Sequence, residues 1–385
     1  MKHSILRKAT SHVTSRDRLL VTWSFREPDR VPVELENTEE VRRHPATRRL
    51  CEFADREADN FIFVAAADWG FFGLQAVSAE EVIEEARGRF VRKRLTYRTS
   101  VGDFCRITRH PCDVADPADF YWEQRFIRTR EDMDRLASAP KSALRVLHRE
   151  YAEADARVGS RGVPISGLAH PLGSLVRMAD TESVYGWLAT EPALIHRFLD
   201  RCYGQQVAVI EEMGRVGMRP SFITWAHEML IPPWMSPRMF DEFVFPYDKR
   251  LNDAIHRIGG RMRMHCHGSC MNFLEKFADM GVDSIEPLEP SPYGDVDLAD
   301  AKRRVGDRML LSGNIPSQKF PFMSRKEVQE CVKEAIAAAA GHGGFTLRTT
   351  GGGLGAGDLA EPALAGKMIE NYEAFIDAAL EYGTY

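Results

Sequence analysis

Long apolar runs are missing from this 385-residue chain. No window approaches the ~20 consecutive apolar residues that a membrane-spanning helix needs. Cysteine is sparse. The seven thiols, Cys51, Cys105, Cys112, Cys202, Cys266, Cys270 and Cys331, are odd in number and scattered. That distribution speaks against a disulfide framework and for a reducing, cytoplasmic setting. A basic surplus is also lacking: 51 Lys and Arg stand against 56 Asp and Glu, for a net charge of -5. Bulk electrostatic binding of nucleic acid is therefore not expected. Residues 1–18 are basic and polar without an apolar centre, so they do not read as a secretory signal; a basic targeting peptide is the lesser alternative. No Gly-x-Gly-x-x-Gly follows the first apolar run, which weakens a dinucleotide-binding reading. Repeats and low-complexity segments are absent as well. What is present is ordinary for a globular protein, at 44% hydrophobic and 28% charged residues, with length enough for one large α/β domain or two small ones.

The pattern along the chain supplies the architecture. Residues 15–50 look helical, with breaks at Pro28 and Pro32, and residues 90–128 alternate in the manner of a small antiparallel excursion. Apolar runs recur at 60–67, 163–168, 221–226, 262–266, 282–288, 309–311 and 344–347. An eighth is expected near 31–34. Amphipathic stretches separate most of them, at 182–211, 237–258, 271–280, 298–305, 324–340 and 362–381. Ser236-Pro237 reads as an N-cap with a first-turn proline, and Ser324 with Glu327 as a capping box. Strands alternating with helices imply parallel strands joined by helical crossovers. The count predicts a (β/α)8 TIM-type barrel in a single domain, 1–385. It carries an N-terminal helical extension over 1–55 and a β insertion at about 90–128.

In such a barrel the reactive groups gather at the C-terminal ends of the strands. Those ends carry Asp68, His170, His227 with Glu228, His265 with His267, Glu286 with Glu289, Gly313-Asn314, and Arg348 ahead of Gly351-Gly352-Gly353. The densest group is His265-Cys266-His267-Gly268-Ser269-Cys270. Side chains alternate in an extended segment, so His265 and His267 share a face and Cys266 opposes them. A His-x-His pair leaving a strand offers two nitrogens to one metal or to one substrate. Cys266 is expected in the barrel wall and Cys270 in the next helix. Asp68, His227 and His267 are the candidate catalytic groups. His170, Glu286, Asn314 and Arg348 are the candidate contacts to a small-molecule substrate.

Several longer phrases resemble the uroporphyrinogen decarboxylase superfamily across nearly the whole chain. They are Glu27-Pro28-Asp29-Arg30-Val31-Pro32, Ser236-Pro237-Arg238-Met239-Phe240-Asp241-Glu242-Phe243-Val244-Phe245-Pro246-Tyr247, His265-Cys266-His267-Gly268, Met280-Gly281-Val282-Asp283, and Val305-Gly306-Asp307-Arg308 through Gly313-Asn314-Ile315. The resemblance implies the barrel and a choice of reactions. The decarboxylase branch grips porphyrinogen carboxylates with an arginine-rich N-terminal motif, which is lacking here. The corresponding Glu34-Leu35-Glu36-Asn37-Thr38-Glu39-Glu40 is acidic and repels a polycarboxylate. Asp68 matches that branch's catalytic aspartate.

The corrinoid-dependent methyltransferase branch moves a methyl group between a methylcobalamin-carrying corrinoid protein and a thiol or a folate. Its thiol-using members hold zinc through His-x-Cys-Gly and a distant cysteine. Here His267 replaces the first cysteine, and the second falls near Gly351 or Gly352. The remaining candidate zinc set is His265, His267 and Glu228, two imidazoles and a carboxylate; the alternative is no metal, with His265 and His267 as hydrogen-bond donors or proton carriers. The resemblance implies corrinoid-linked methyl transfer, with tetrahydrofolate or a thiol as acceptor and a homodimer as the assembly. The alternative is a decarboxylase or lyase acting on a small carboxylated substrate. A metal-dependent hydrolase is disfavoured by the late position of the His-x-His pair. A barrel that only binds its ligand is the non-catalytic alternative.

Overall fold

The computed structural model describes residues 13–112, 120–355 and 357–385. The first part of the expected N-terminal extension and residues 113–119 of the expected insertion lie outside the described residues. The strands are β1 (Val33–Glu34), β2 (Asn60–Phe63), β3 (Ala76–Ala86), β4 (Phe90–Thr99), β5 (Gly102–Pro111), β6 (Tyr121–Gln124), β7 (Gly162–Gly167), β8 (Ser221–Thr224), β9 (Arg261–Cys266), β10 (Ser284–Pro287), β11 (Leu310–Ile315) and β12 (Phe345–Thr349). Eight of them form one sheet in the order β1-β12-β11-β10-β9-β8-β7-β2, and every pairing in it is parallel. Helices cover the outside. This is the (β/α)8 barrel that the alternating pattern predicts, and the expected strand near 31–34 is β1.

The sheet closes where β1 meets β2, and side chains make the seam. Asn60 donates from Nδ2 to the Leu35 carbonyl at 3.0 Å and accepts the Leu35 N–H on Oδ1 at 2.9 Å. Its amide therefore takes the place of a peptide unit. One residue earlier, the Asp59 N–H bonds the Val33 carbonyl, and Asp59 Oδ2 accepts from the Val33 N–H at 3.1 Å. Asp59 is fully buried and ion-paired to Arg18 at 2.6 Å and Arg30 at 2.7 Å. The proline-flanked Pro28-Asp29-Arg30-Val31-Pro32 phrase thus delivers the arginine that neutralises the seam. Replacing Asn60 by Ala leaves both Leu35 backbone groups without their partner. The expected loss is about 1–3 kcal/mol, read as a lower urea midpoint with an unchanged slope.

Three boundaries differ from expectation. The stretch at 182–211 is two helices, Thr181–Thr190 and Pro192–Arg215, because Pro192 lacks an N–H and starts a new helix instead of continuing one. The stretch at 237–258 likewise splits into Pro237–Phe243 and Phe245–Arg257, with Pro246 in the second first turn. The antiparallel sheet β3-β4-β5-β6, inserted between β2 and β7, begins already at Ala76. Its first strand is glutamate-rich and hides its alternation. The pairing partner supplies the reason: Glu80, Glu81 and Glu84 meet Lys93, Arg94 and Arg92 across the ladder. Both expected caps are present, Ser236 on the Met239 N–H and the Ser324–Glu327 box.

Candidate functional site

Parallel register sets the mouth of the barrel. Glu286 stands beside His265, Asn314 beside Arg348, and Glu34 beside Arg348. Residues at one level of neighbouring parallel strands share one layer. The layer is ionised. His265 Nδ1 lies 2.7 Å from Glu286 Oε1, and Arg348 lies 2.7 Å from Glu286 Oε2. The second contact is an ion pair without good hydrogen-bond angles, since Oε2 makes no regular hydrogen bond. Glu34, beside Arg348, also receives Arg263 at 2.7 and 3.2 Å, Ser312 at 2.8 Å and Thr346 at 2.5 Å. Arg263 and Glu34 are 1% and 3% exposed. Burial alone pushes the Glu286 carboxyl up, but Arg348, His265 and Arg263 outweigh it and hold the group well below the usual carboxylate range. A cavity of about 140 Å3 opens above this layer, walled on its apolar side by Phe61, Phe63 and Trp225.

His267 follows β9 by one residue and stands edge-to-face against His265, ring centres 4.5 Å apart. Its Nδ1 lies 3.1 Å from Glu289, which also accepts the Gly268 N–H at 2.9 Å. The hydrogen bond it donates to Glu289 raises the His267 pKa above the ordinary histidine value, against the opposing effect of burial, with Glu289, Glu228 and Glu286 adding charge. An ionised carboxylate only accepts, so both rings donate from Nδ1 and leave Nε2 for an incoming group. Cys266 and Cys270 are fully buried. Burial pushes the Cys266 thiol far up and that of Cys270 up to about 12, so neither offers a thiolate.

The remaining expected residues do not all join this layer. His170 and His227 are 4% and 0% exposed, and neither lines the mouth cavity. They sit in a sealed cluster with Asp248 and Tyr203, behind the mouth. Asp248 lies 3.0 Å from His170 Nε2 and 2.9 Å from His227 Nε2, and it accepts the Tyr203 hydroxyl. Asp68 is exposed and spends Oδ1 on the Gly70 N–H at 3.1 Å, a turn-capping bond that does not reach His265 or His267. Glu228 lies on the short helix His227–Leu230. Its Oε2 is buried without a partner, and its charge contributes to His267.

These placements test the zinc expectation. Among the described residues, the set whose ligand atoms all lie within 4.8 Å of one another is His170, His227 and Asp248. His265, His267 and Glu228 do not converge in that way. In the converged set the Gly173 N–H donates to His170 Nδ1 at 3.0 Å. That bond leaves the proton on Nε2, the atom a metal would need. The cluster is also sealed, so it lacks the open position that a catalytic zinc keeps. The donors therefore do not fit a zinc that meets substrate. They fit a hydrogen-bonded brace between the helices Pro171–Met178, Pro192–Arg215 and Phe245–Arg257. Sequence reasoning missed Asp248, Tyr203, Glu34 and Arg263 as members of these networks. Asp248 directly follows the quoted Phe245-Pro246-Tyr247 phrase, the one signal that pointed to it.

A closed parallel barrel with an ionised, ligand-sized mouth defines the α/β-barrel class of the TIM type. The sequence profile described as "Uroporphyrinogen decarboxylase (URO-D)" matches residues 121–381, and the chain belongs to that family. Uroporphyrinogen decarboxylase of Synechocystis sp. is 26% identical over 66% of this chain and 69% of its own length. That of Aeromonas salmonicida is 25% identical over 63% and 79%. A methyltransferase from Methanosarcina mazei superposes over 96% of this chain and 99% of its own, with a TM-score of 0.57 at 15% identity; this likeness shows the fold.

Proposed function

We propose that the protein is a methyltransferase that moves a methyl group from a corrinoid carried by a partner protein to a thiol or folate amine bound in the mouth. The observation that carries this reading is the state of the mouth arginines. Arg263 and Arg348 are both spent on Glu34 and Glu286. Neither is free to hold the carboxylates of a porphyrinogen, and the acidic Glu34 and Glu36 at the cavity repel them. The name of the Methanosarcina neighbour agrees with the reading.

A methylcorrinoid would supply the methyl group as an electrophile. The work of this chain is to bind the acceptor, orient it and take its proton. A thiol or amine that gains a methyl group must lose a proton, and the proton acceptors at hand are His265, which lines the cavity, and His267, whose ring packs against it. The Glu286 and Glu289 contacts fix both tautomers, and the one to Glu289 makes the His267 imidazole a better base. A partner also needs a landing surface. Phe63, Trp234, Tyr293 and Phe322 are 53%, 57%, 40% and 87% exposed. They lie at the end of β2 and on the segments after β8, β10 and β11, so the apolar groups ring the same end of the barrel.

The test is loss of methylcobalamin in the presence of the protein and a panel of thiols and tetrahydrofolate. His267→Ala is expected to slow transfer about 100-fold or more without altering the far-ultraviolet circular dichroism. The wild-type rate should rise with pH through a pKa above the ordinary ~6.5 of histidine. No methyl loss with any acceptor, or carbon dioxide release from a small carboxylated substrate instead, replaces this reading with the decarboxylase one.

A further inference from the structure

The wall of the mouth cavity carries more negative than positive charge. Glu34, Glu36 and Glu286 stand there with Arg263 and Arg348, beside His265. Glu34 and Glu286 hold both guanidiniums, so Glu36 is the carboxylate left over. It keeps an exposed edge. We propose that the acceptor bound in the mouth carries a positively charged nitrogen, an aminothiol and not an anionic thiol, and that Glu36 selects it. This rests on the methyl-transfer reading for the role of the guest, but not for its charge. The walls withdraw water from Glu36 and raise its carboxyl above the ordinary value; Arg348 pulls the other way, and Glu286 and Glu34 add to the rise. A cation arriving beside it favours the ionised form.

Two aromatic rings extend the attraction. Trp225 and Phe63 line the cavity and stack at 5.8 Å, with 20° between their planes. Trp225 is half-buried, and Phe63 is largely open. The third ring, Phe61, is already covered by the Arg263 guanidinium at 4.4 Å. Gly167, at the end of β7, leaves room for the indole, since a Cβ there would come within 3.1 Å of it. A cation over such a face is held by the ring quadrupole. An anion meets the negative faces and a free carboxylate instead. Strand order gives the guest its direction. β1 and β9 take the first and fifth places of the eight-stranded order, and so stand opposite one another once β1 closes on β2. Glu36 follows β1, and His265 belongs to β9. The nitrogen therefore lies toward Glu36 and the sulfur toward His265. In the transfer the sulfur bonds the methyl carbon, the cobalt–carbon electron pair stays with the corrinoid, and the thiol proton passes to an imidazole. The cavity opens to solvent, so charge selects the guest and size does not.

Titration of the full chain, followed by the ligand S-methyl proton resonance with no corrinoid present, tests the charge selection. S-methylcysteamine should bind with a dissociation constant on the order of 1 mM, roughly 5-fold tighter than neutral S-methylmercaptoethanol. Anionic S-methylmercaptoacetate should not bind. Glu36→Gln should make the first two equal. Glu40→Gln, at an exposed carboxylate off the cavity wall, should leave the preference intact. Trp225→Leu should weaken S-methylcysteamine about 3-fold, and it serves if Glu36→Gln does not fold. Equal affinity for the three ligands, a preference that survives Glu36→Gln, an affinity unmoved by Trp225→Leu, or no cation binding in the millimolar range overturns the proposal. Rates with methylcobalamin separate it from the methyl-transfer reading. Cation binding without methyl loss to cysteamine ends that reading and leaves the charge selection standing. Methyl loss to mercaptoacetate as fast as to cysteamine does the reverse.

Discussion

Glu34→Ala should cost about 3–5 kcal/mol of stability, seen as a large drop in the urea midpoint. Glu34 is the only carboxylate within hydrogen-bond reach of Arg263 in the described residues, and it also takes Ser312 and Thr346. Removing it strands a guanidinium that is 1% exposed, and a buried charge without a counter-charge is far more costly than the pair was favourable. The paired variant Glu34→Met with Arg263→Met discriminates. If the loss comes from the uncompensated charge, the double substitution recovers most of it. If it is as unstable as Glu34→Ala, the account of the layer is wrong.

Asp248→Ala is the second large effect, with an expected loss on the order of 4 kcal/mol. It removes the acceptor shared by three buried donors, His170 Nε2–H, His227 Nε2–H and the Tyr203 hydroxyl; His170 keeps the Tyr203 oxygen at 3.1 Å, so two donors are orphaned, each at roughly 1–3 kcal/mol less whatever water the new cavity admits. Tyr203→Phe removes one of the three bonds and should cost about 1 kcal/mol. The pH dependence gives an independent check. Burial opposes ionisation of Asp248, but His170 and His227 overcome it and hold the carboxyl below its ordinary range. A depressed folded pKa contributes stability that is complete above the unfolded value of ~3.9 and is lost as pH falls through the folded one. Wild-type protein should therefore lose stability more steeply on acidification than Asp248→Ala does. Parallel acid limbs in the two proteins would show that Asp248 is not the ionised acceptor described.

The barrel was legible because its signals are local. Apolar runs, proline and serine at helix starts, and polar residues at strand ends all lie within a few positions of one another. The His-x-His pair belongs to this class, since strand alternation alone puts both rings on one side. The charge layer is different. Glu34 and Arg263 are 229 positions apart, and nothing near either residue announces the other. The same holds for Tyr203 and Asp248, whose helices meet only once the barrel has closed. Reading strand ends found His170 and His227, but a strand end does not say whether a side chain turns into the mouth or back between the helices. Here both turn back, toward an aspartate on a third helix. The zinc expectation failed at the same point: ligand type can be read from sequence, while convergence of lone pairs is a property of tautomers and distances.

The inserted sheet has a consequence for solubility. The strand Ala76–Ala86 is an eleven-residue border with no strand paired to its outer side among the described residues, the kind of template onto which a second molecule adds a strand. Glu80, Glu81, Glu84 and Glu85 lie along that border. Two copies approaching border to border would press eight carboxylates together and strip them of water. The residues that disguised this segment as something other than a strand are thus the ones that guard it from self-assembly.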